Sequence, residues 1–440
     1  MERRAANSRL RLLILILAVF ALIAAACGDD DDATDEPESP DPTENVDDEP
    51  DDEPEPEDSD EPEDDPEPVE DPPEPTADPL TVWVIEDSSE AAGITFPSVR
   101  AGIDARVARL NAEGGVGAAG HPIQVEICVT DFDPNAAAQC ARDAAADETA
   151  IAVAASVTAN SDAYLPILEE AGLANVGTTA FAATDATSSV SFPTMGGLIA
   201  ATGCQATVLR DEAGITNFGV ARGDTPGADQ VGILLTVLGT PSAAEVVTPV
   251  ANTDYTAEIG ALAADVDGIV LAQDNATAIK TLRAISQLGL DLPISGSAGQ
   301  NWTPANLEAA GPAAEGMYVA LWYAADDSGE PGVEQYLADL EAVDALGQTD
   351  DLAKLGWVAF ELIDQVVGDA DTVDRTLVLD GLTNMTAFDS GGLTPVLDFT
   401  TPGGLFGGAA PRFVNETCAY GQIQEGGVVG LTGLISPFTS

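Results

Sequence analysis

The residues best placed to do chemistry in this 440-residue chain are small and polar. The segment Ser156-Val157-Thr158-Ala159-Asn160-Ser161 follows an apolar run and opens a helical pattern. Hydroxyls and free N–H groups at such a point can hold a carboxylate or an amide, with helix capping by Asn160 or Ser161 as the alternative. Gly177-Thr178-Thr179-Ala180-Phe181 and Asp87-Ser88-Ser89 end other apolar runs in the same manner, and Asp224, Gln273, Asp274, Gln300 and Asn301 do so further along. For each, a cap or a solvated loop is the competing role. Hydrolytic chemistry has little to work with, because the chain carries one histidine, His121, directly before a proline. That removes two-imidazole metal sites, and no nucleophile elbow supplies a partner for a triad. Gly114-Gly115-Val116-Gly117 follows a helix and lacks a lysine, so it reads as a helix end and turn and not as a phosphate loop. No catalytic residue, metal or cofactor is expected.

Alternating strands and helices must position these loops. A strand over Leu80–Ile85 precedes a helix over Phe96–Asn111, whose Val99, Ile103, Val107 and Leu110 recur at three- and four-residue spacing. Strands are then expected at 123–129, 150–155 and 173–176, with helices at 135–146, 161–171 and 198–212. A second series places strands at 218–221, 245–250, 268–272 and 293–295, with helices at 228–238, 257–264 and 276–288. A strand over 317–324, helices over 332–344 and 351–367, and β-structure over 396–399 and 412–431 complete the pattern. This alternation predicts an α/β protein with two parallel, helix-covered sheets. The last helices are expected to join the first sheet and the last strands the second.

Charge divides the chain into three zones. Arg3, Arg4, Arg9 and Arg11 precede an apolar run over 12–23 that ends in Ala24-Ala25-Ala26-Cys27, the pattern of an export signal. Residues 28–79 hold 28 acidic residues, 13 prolines and no Lys or Arg, so they are expected to be an extended, solvated linker. The remaining residues 80–440 keep a net charge of −36 within a total of −61. Such a surface excludes a sequence-independent grip on nucleic-acid backbones.

Several segments together resemble a known family. They are Leu110-Asn111-Ala112-Glu113-Gly114-Gly115-Val116 with Gly120-His121-Pro122-Ile123, then Thr130-Asp131, Ala136 to Cys140, and Glu170-Ala171-Gly172-Leu173-Ala174-Asn175-Val176. In that order they resemble type I periplasmic-type solute-binding proteins of ABC transporters, the branched-chain amino-acid and amide receptor group. The resemblance implies two Rossmann-like lobes joined by a three-segment hinge, with a cleft that closes on one small solute. It places lobe 1 at about 80–205 and 325–395, and lobe 2 at about 206–324 and 396–440. Asp87, Ser88, Ser156, Thr158, Ala159, Thr179 and Phe181 then belong to the ligand side of lobe 1, and Asp224, Gln273, Asp274 and Gln300 to that of lobe 2. The implied partners are a small solute and an ABC permease, with a membrane-coupled sensory role as the alternative and a monomer as the expected state. Ala24 to Cys27 resembles a lipobox, which would lipidate Cys27 and hold the protein on the outer face of the cell membrane.

Two departures bear on the ligand. The family usually sets an acidic residue near the Gly296 turn to meet an ammonium, where this chain has Ser297 and Ala298, and Phe181 stands where a small hydroxyl residue is usual. An amide, a urea-like compound or an aromatic acid therefore competes with an amino acid as the guest. Beyond Cys27, four cysteines in an exported chain favour disulfides. Cys128 and Cys140 can approach across a strand-to-helix connection, as a similar bridge does in the family, leaving Cys204 with Cys418. Intact mass should rise on reduction by the hydrogens of two bridges, and an unchanged mass would refute both pairs.

Overall fold

A computed structural model describes residues 75–89, 94–224, 228–405 and 408–437. The export signal, Cys27 and nearly all of the acidic linker lie outside the described residues. In chain order the elements are β1 (Leu80–Glu86), α1 (Pro97–Ala112), β2 (Ile123–Val129), α2 (Pro134–Ala146), β3 (Ala150–Ala154), α3 (Ser161–Ala171), β4 (Ala174–Val176), β5 (Ser191–Phe192) and α4 (Gly197–Ala213). There follow β6 (Phe218–Arg222), α5 (Val231–Val237), β7 (Ala244–Val247), α6 (Thr256–Ala263), β8 (Gly268–Ala272), α7 (Asn275–Leu288), β9 (Ile294–Ser297), α8 (Pro304–Ala310) and β10 (Tyr318–Leu321). The chain closes with α9 (Pro331–Ala342), α10 (Asp351–Val367), α11 (Arg375–Asn384), β11 (Ala419–Gln424) and β12 (Gly427–Gly430).

Two sheets result. The first is parallel throughout, in the order β2-β1-β3-β4-β5. The second runs β12-β11-β10-β9-β8-β6-β7, parallel from β10 to β7, with β11 and β12 added antiparallel at one edge. Strands such as β3 are buried at every residue, as helix cover on both faces demands. The tail returns to the first sheet before the last strands join the second. Helix α10 packs along α1 so closely that a Cβ on Gly102 would stand 1.9 Å from the Ala353 carbonyl oxygen. Only glycine permits that approach. Arg106 fastens the same pair, reaching Glu361 at 2.8 Å and Asp364 at 2.6 Å while lying over the Trp357 ring.

Some expected elements differ. Val396 to Phe399 forms no strand; Leu397 makes one antiparallel bridge with Phe388, and the alternation there serves to bury Leu397 and Phe399 against the first core. Residues 412–417 are likewise irregular, leaving β11 and β12 as the only regular part of that segment. The boundary placed near 205 falls inside α4, which packs on β8, β9 and β10, so the chain changes sheets at 193–197. Both disulfides join the expected partners, Cys128 to Cys140 and Cys204 to Cys418.

Every Lys and Arg of residues 80–440 is engaged by another part of the molecule. Arg100 meets Glu86, Arg222 meets Glu245, and Arg210 meets Asp211. Arg375 and Arg412 instead donate to backbone carbonyls across the first lobe, and Arg283 to that of Ala309. The excess of acidic charge therefore repels itself without loose cations to offset it. Raising NaCl from 0.05 to 1 M shortens the screening length to about 3 Å. It should stabilise the fold by about 2 kcal/mol, read in a thermal scan as a gain of roughly 4 °C; a falling Tm would contradict this.

Candidate functional site

Ligands of open parallel sheets bind beyond strand carboxyl ends, where successive connections leave a strand in opposite directions. In the first sheet β1 lies between β2 and β3, so that point sits between the ends of β1 and β3. In the second, β6 lies between β7 and β8. Asp87, Ser156 and Thr158 stand at the first point, and Asp224, Gln273 and Asp274 at the second.

Asp87 is a buried carboxylate surrounded by donors. Its oxygens accept from the Thr130 hydroxyl, from Ala159 N–H at 2.8 Å and from both-oxygen contacts of Asn160 Nδ2 at 3.3 Å, while its own N–H donates to Val157 O at 2.8 Å. It thus ties the ends of β1, β2 and β3. Asn160 makes no side-chain cap on α3; its amide is committed to Asp87. Beside it, Glu86 accepts a two-pronged contact from Arg100, at 2.9 and 3.1 Å, and the Ser88 hydroxyl. Ser156 Oγ accepts from Ile85 N–H, and its carbonyl receives Thr179 N–H at 3.1 Å and Thr178 Oγ1 at 3.2 Å. Thr179 is buried in this network, and Thr158 Oγ1 accepts from Asn160 N–H at 2.9 Å. Ala159 lies exposed at the head of α3, and Phe181 presents an open aromatic face, 36% exposed, at the end of β4.

The second sheet gathers fewer of the expected residues. Asp224 is exposed and accepts from Val250 N–H at 2.9 Å. Gln273 donates to Thr248 and Thr281, leaving its carbonyl oxygen buried and unpartnered. Asp274 caps α7 through Thr277 N–H and the Thr277 hydroxyl. Gln300 is wholly occupied, accepting from Ser297 N–H and donating to the carbonyls of Leu271 and Gln273. Trp302 donates to Ser297 O. The Ser297–Gln300 turn is therefore a closed hydrogen-bonded unit without a carboxylate.

Segments that follow strands of the two sheets meet in a cluster of Ala180, Ala186, Ala410 and Phe413, against which Leu234 of α5 and Leu238 just beyond it pack. Helix α10 also touches the 298–300 turn, and the Trp322 ring rests on Gly299. A separate hollow lined by Thr81, Trp83, Gln124, Glu126 and Asp147 lies elsewhere on β1 and β2, and its Trp83 N–H and Thr81 hydroxyl are already paired. His121 contacts the carbonyl of Asp78 at the surface. Among the described residues no cluster of metal-ligating side chains occurs, and no helix is long and apolar enough to cross a membrane.

Loops that follow strands of both sheets thus pack in one cluster beside Phe413, and each sheet carries its own group of polar residues at its switch point. A family model described as periplasmic binding protein matches residues 79–410. The chain belongs to this family. Its members are extracytoplasmic solute-binding proteins and not enzymes. Solved structures agree on the fold. A substrate-binding periplasmic protein from Ralstonia solanacearum is 22% identical with a TM-score of 0.65, covering 80% of this chain and 99% of its own. A leucine binding protein from Thermotoga maritima is 19% identical at 0.63, covering 81% and 99%. A fatty acid ABC transporter substrate-binding protein from Thermomonospora curvata is 18% identical at 0.66, covering 84% and 96%. None of the curated proteins compared with the chain matches it.

Sequence reasoning overlooked Asp185. Fully buried behind the Phe181 loop, it accepts from Ala182 N–H at 2.9 Å with one oxygen and leaves the other unpartnered. Burial pushes its carboxyl up to about 7, against the pull of Ala182 N–H and the Ser161 hydroxyl. Because the folded value is raised, the stability this group confers is full below the unfolded value near 4 and is lost as pH rises through about 7. Asp185→Asn should flatten that slope and stabilise the protein at pH 8 by roughly 3 kcal/mol, measured by urea titration at pH 5 and pH 8. A slope unchanged by the substitution would refute the assignment.

Proposed function

We propose that this chain is a lipid-anchored receptor that captures one small solute between its lobes and delivers it to an ABC importer. On this reading Cys27 carries the lipid, residues 28–79 form the spacer, and the bilobal domain works as a monomer on the outer face of the cell membrane. Lobe 1 covers about 80–205 and 325–395 with its edge moved to 193–197, and lobe 2 covers the rest. The observation that supports the proposal is that loops from both sheets pack in one cluster beside Phe413, beyond strand ends that carry Asp87 on one sheet and Asp224 and Gln273 on the other.

The guest follows from the groups lining the cleft. Its polar head is held by the Thr158 and Ser161 hydroxyls and the first N–H groups of α3, where the helix N-terminus favours an acceptor. Phe181 offers an aromatic wall to an apolar body. Leucine binding and fatty acid transport are named for structural neighbours of this chain, which suits a guest with both parts. An ammonium left without a carboxylate in a closed cleft would cost several kcal/mol, and Ser297 and Ala298 supply none, so an amide, urea-like or aromatic acid guest fits better than an amino acid, unless Asp224 takes the ammonium.

Calorimetry against branched-chain amino acids, short amides, urea and small aromatic acids tests this reading, together with X-ray scattering for closure. One class should bind and shrink the radius of gyration, and Phe181→Ala should weaken it about tenfold, as expected for losing one buried aromatic contact. Absence of binding by every class, with the lobes unmoved, would sink the proposal.

A further inference from the structure

Three segments pass between the lobes, at 193–197, 322–326 and 400–418, and they are joined to one another inside the protein. Thr194 Oγ1 and Tyr323 OH lie 2.9 Å apart, and Asn415 Nδ2 donates to Thr194 O at 2.8 Å. All three side chains are buried. Each crossing therefore contributes one residue to a single hydrogen-bonded node.

The node is anchored differently on its two sides. Toward the first lobe, the Asp351 carboxylate at the head of α10 receives the N–H groups of Trp322 and Tyr323. Lys354 on the same helix donates to Ala324 O at 2.9 Å while contacting Asp351 and Asp326. Toward the second lobe, Asn415 Oδ1 accepts from Thr417 N–H and its hydroxyl, and one residue later Cys418 is bridged to Cys204 on α4. The backbone is packed too closely there to slide. A Cβ on Gly196 would stand 2.8 Å from Asn415 O, and one on Gly197, whose φ is +66°, would meet the Phe413 ring at 2.9 Å.

We propose that Thr194, Tyr323 and Asn415 are positioning residues that make the three crossings turn about one point and set the resting angle between the lobes. The proposal rests on the reading that the lobes close on a solute. Two buried hydrogen bonds, both between crossings and set against the edge of the first core, resist separation of the segments while leaving rotation about them open. Domain motion is then concentrated in torsions beside the node, and each lobe moves as a unit.

Spin labels at Glu170→Cys on α3 and Glu308→Cys on α8, both exposed positions on opposite lobes, report the interlobe distance without added solute. Removing the Thr194–Tyr323 bond by Tyr323→Phe or Thr194→Val should change the ratio of open to closed populations roughly fivefold, the weight of one buried hydrogen bond. Thr194→Ser keeps the hydroxyl and should restore the parent distribution. A thermal scan of each variant separates this from loss of fold: Thr194→Val and Thr194→Ser should melt within a few degrees of each other. Distributions for both bond-deleting variants that superimpose on the parent, or a Thr194→Ser distribution matching Thr194→Val, would overturn the node. Because no solute is added, failure of ligand capture would count against the proposed function and leave this result standing.

Discussion

The carboxylate of Asp87 is the interaction on which the cleft depends. Parallel strands end in backbone groups that cannot pair with one another, and at a switch point the connections also diverge, leaving a gap that nothing in the sheet closes. Asp87 fills the base of that gap with a negative charge and draws to it Thr130 from the end of β2 and Ala159 and Asn160 from beyond β3. Three loops that would otherwise move separately are held around one point. A buried carboxylate is tolerated there because donors surround it, and hydrogen bonds to a charged acceptor are the stronger kind. With its demand met internally, it is a strut that shapes the loop leading into α3.

The same economy of charge runs through the whole molecule. With so many acids and so few cations, each Lys and Arg of residues 80–440 finds a partner within the protein, some carboxylates such as Glu361 and others carbonyls such as those of Ser188 and Ala145. Binding a solute by an arginine clamp would require breaking one of these contacts. Neutral donors at strand and helix ends remain, and they suit reversible capture, since a guest held by hydroxyls and amides is not bound to a desolvated ion pair.

Much of the architecture was legible from periodicity. The expected strand over 123–129 and the helices over 161–171 and 351–367 coincide with β2, α3 and α10, because long apolar repeats bounded by Gly, Pro or Asp leave little choice of register. Short elements escaped: β5 has two residues, too few to show a period, and α8 and α11 carry weak stripes despite their Thr303 and Asp374 caps. Val396 to Phe399 misled because alternation can bury side chains without pairing backbone. At the site, strand ends pointed to Asp87 and Asp274 by position, yet position could not distinguish a strut or a cap from a ligand contact. Thr194, Tyr323 and Asn415 were invisible for a simpler reason: more than 90 residues separate each from the next. Contacts of that separation arise from topology, which one-dimensional spacing does not encode.

The central claim is that a guest sits where the two crevices meet. A crystal structure of the protein purified with whatever solute accompanies it tests this most directly. The account predicts density between the lobes, with acceptor atoms within hydrogen-bonding distance of the Thr158 and Ser161 hydroxyls and the first N–H groups of α3, and an apolar portion against Phe181. Density confined to the hollow beside Trp83, or a cleft filled by the protein's own side chains, would contradict it.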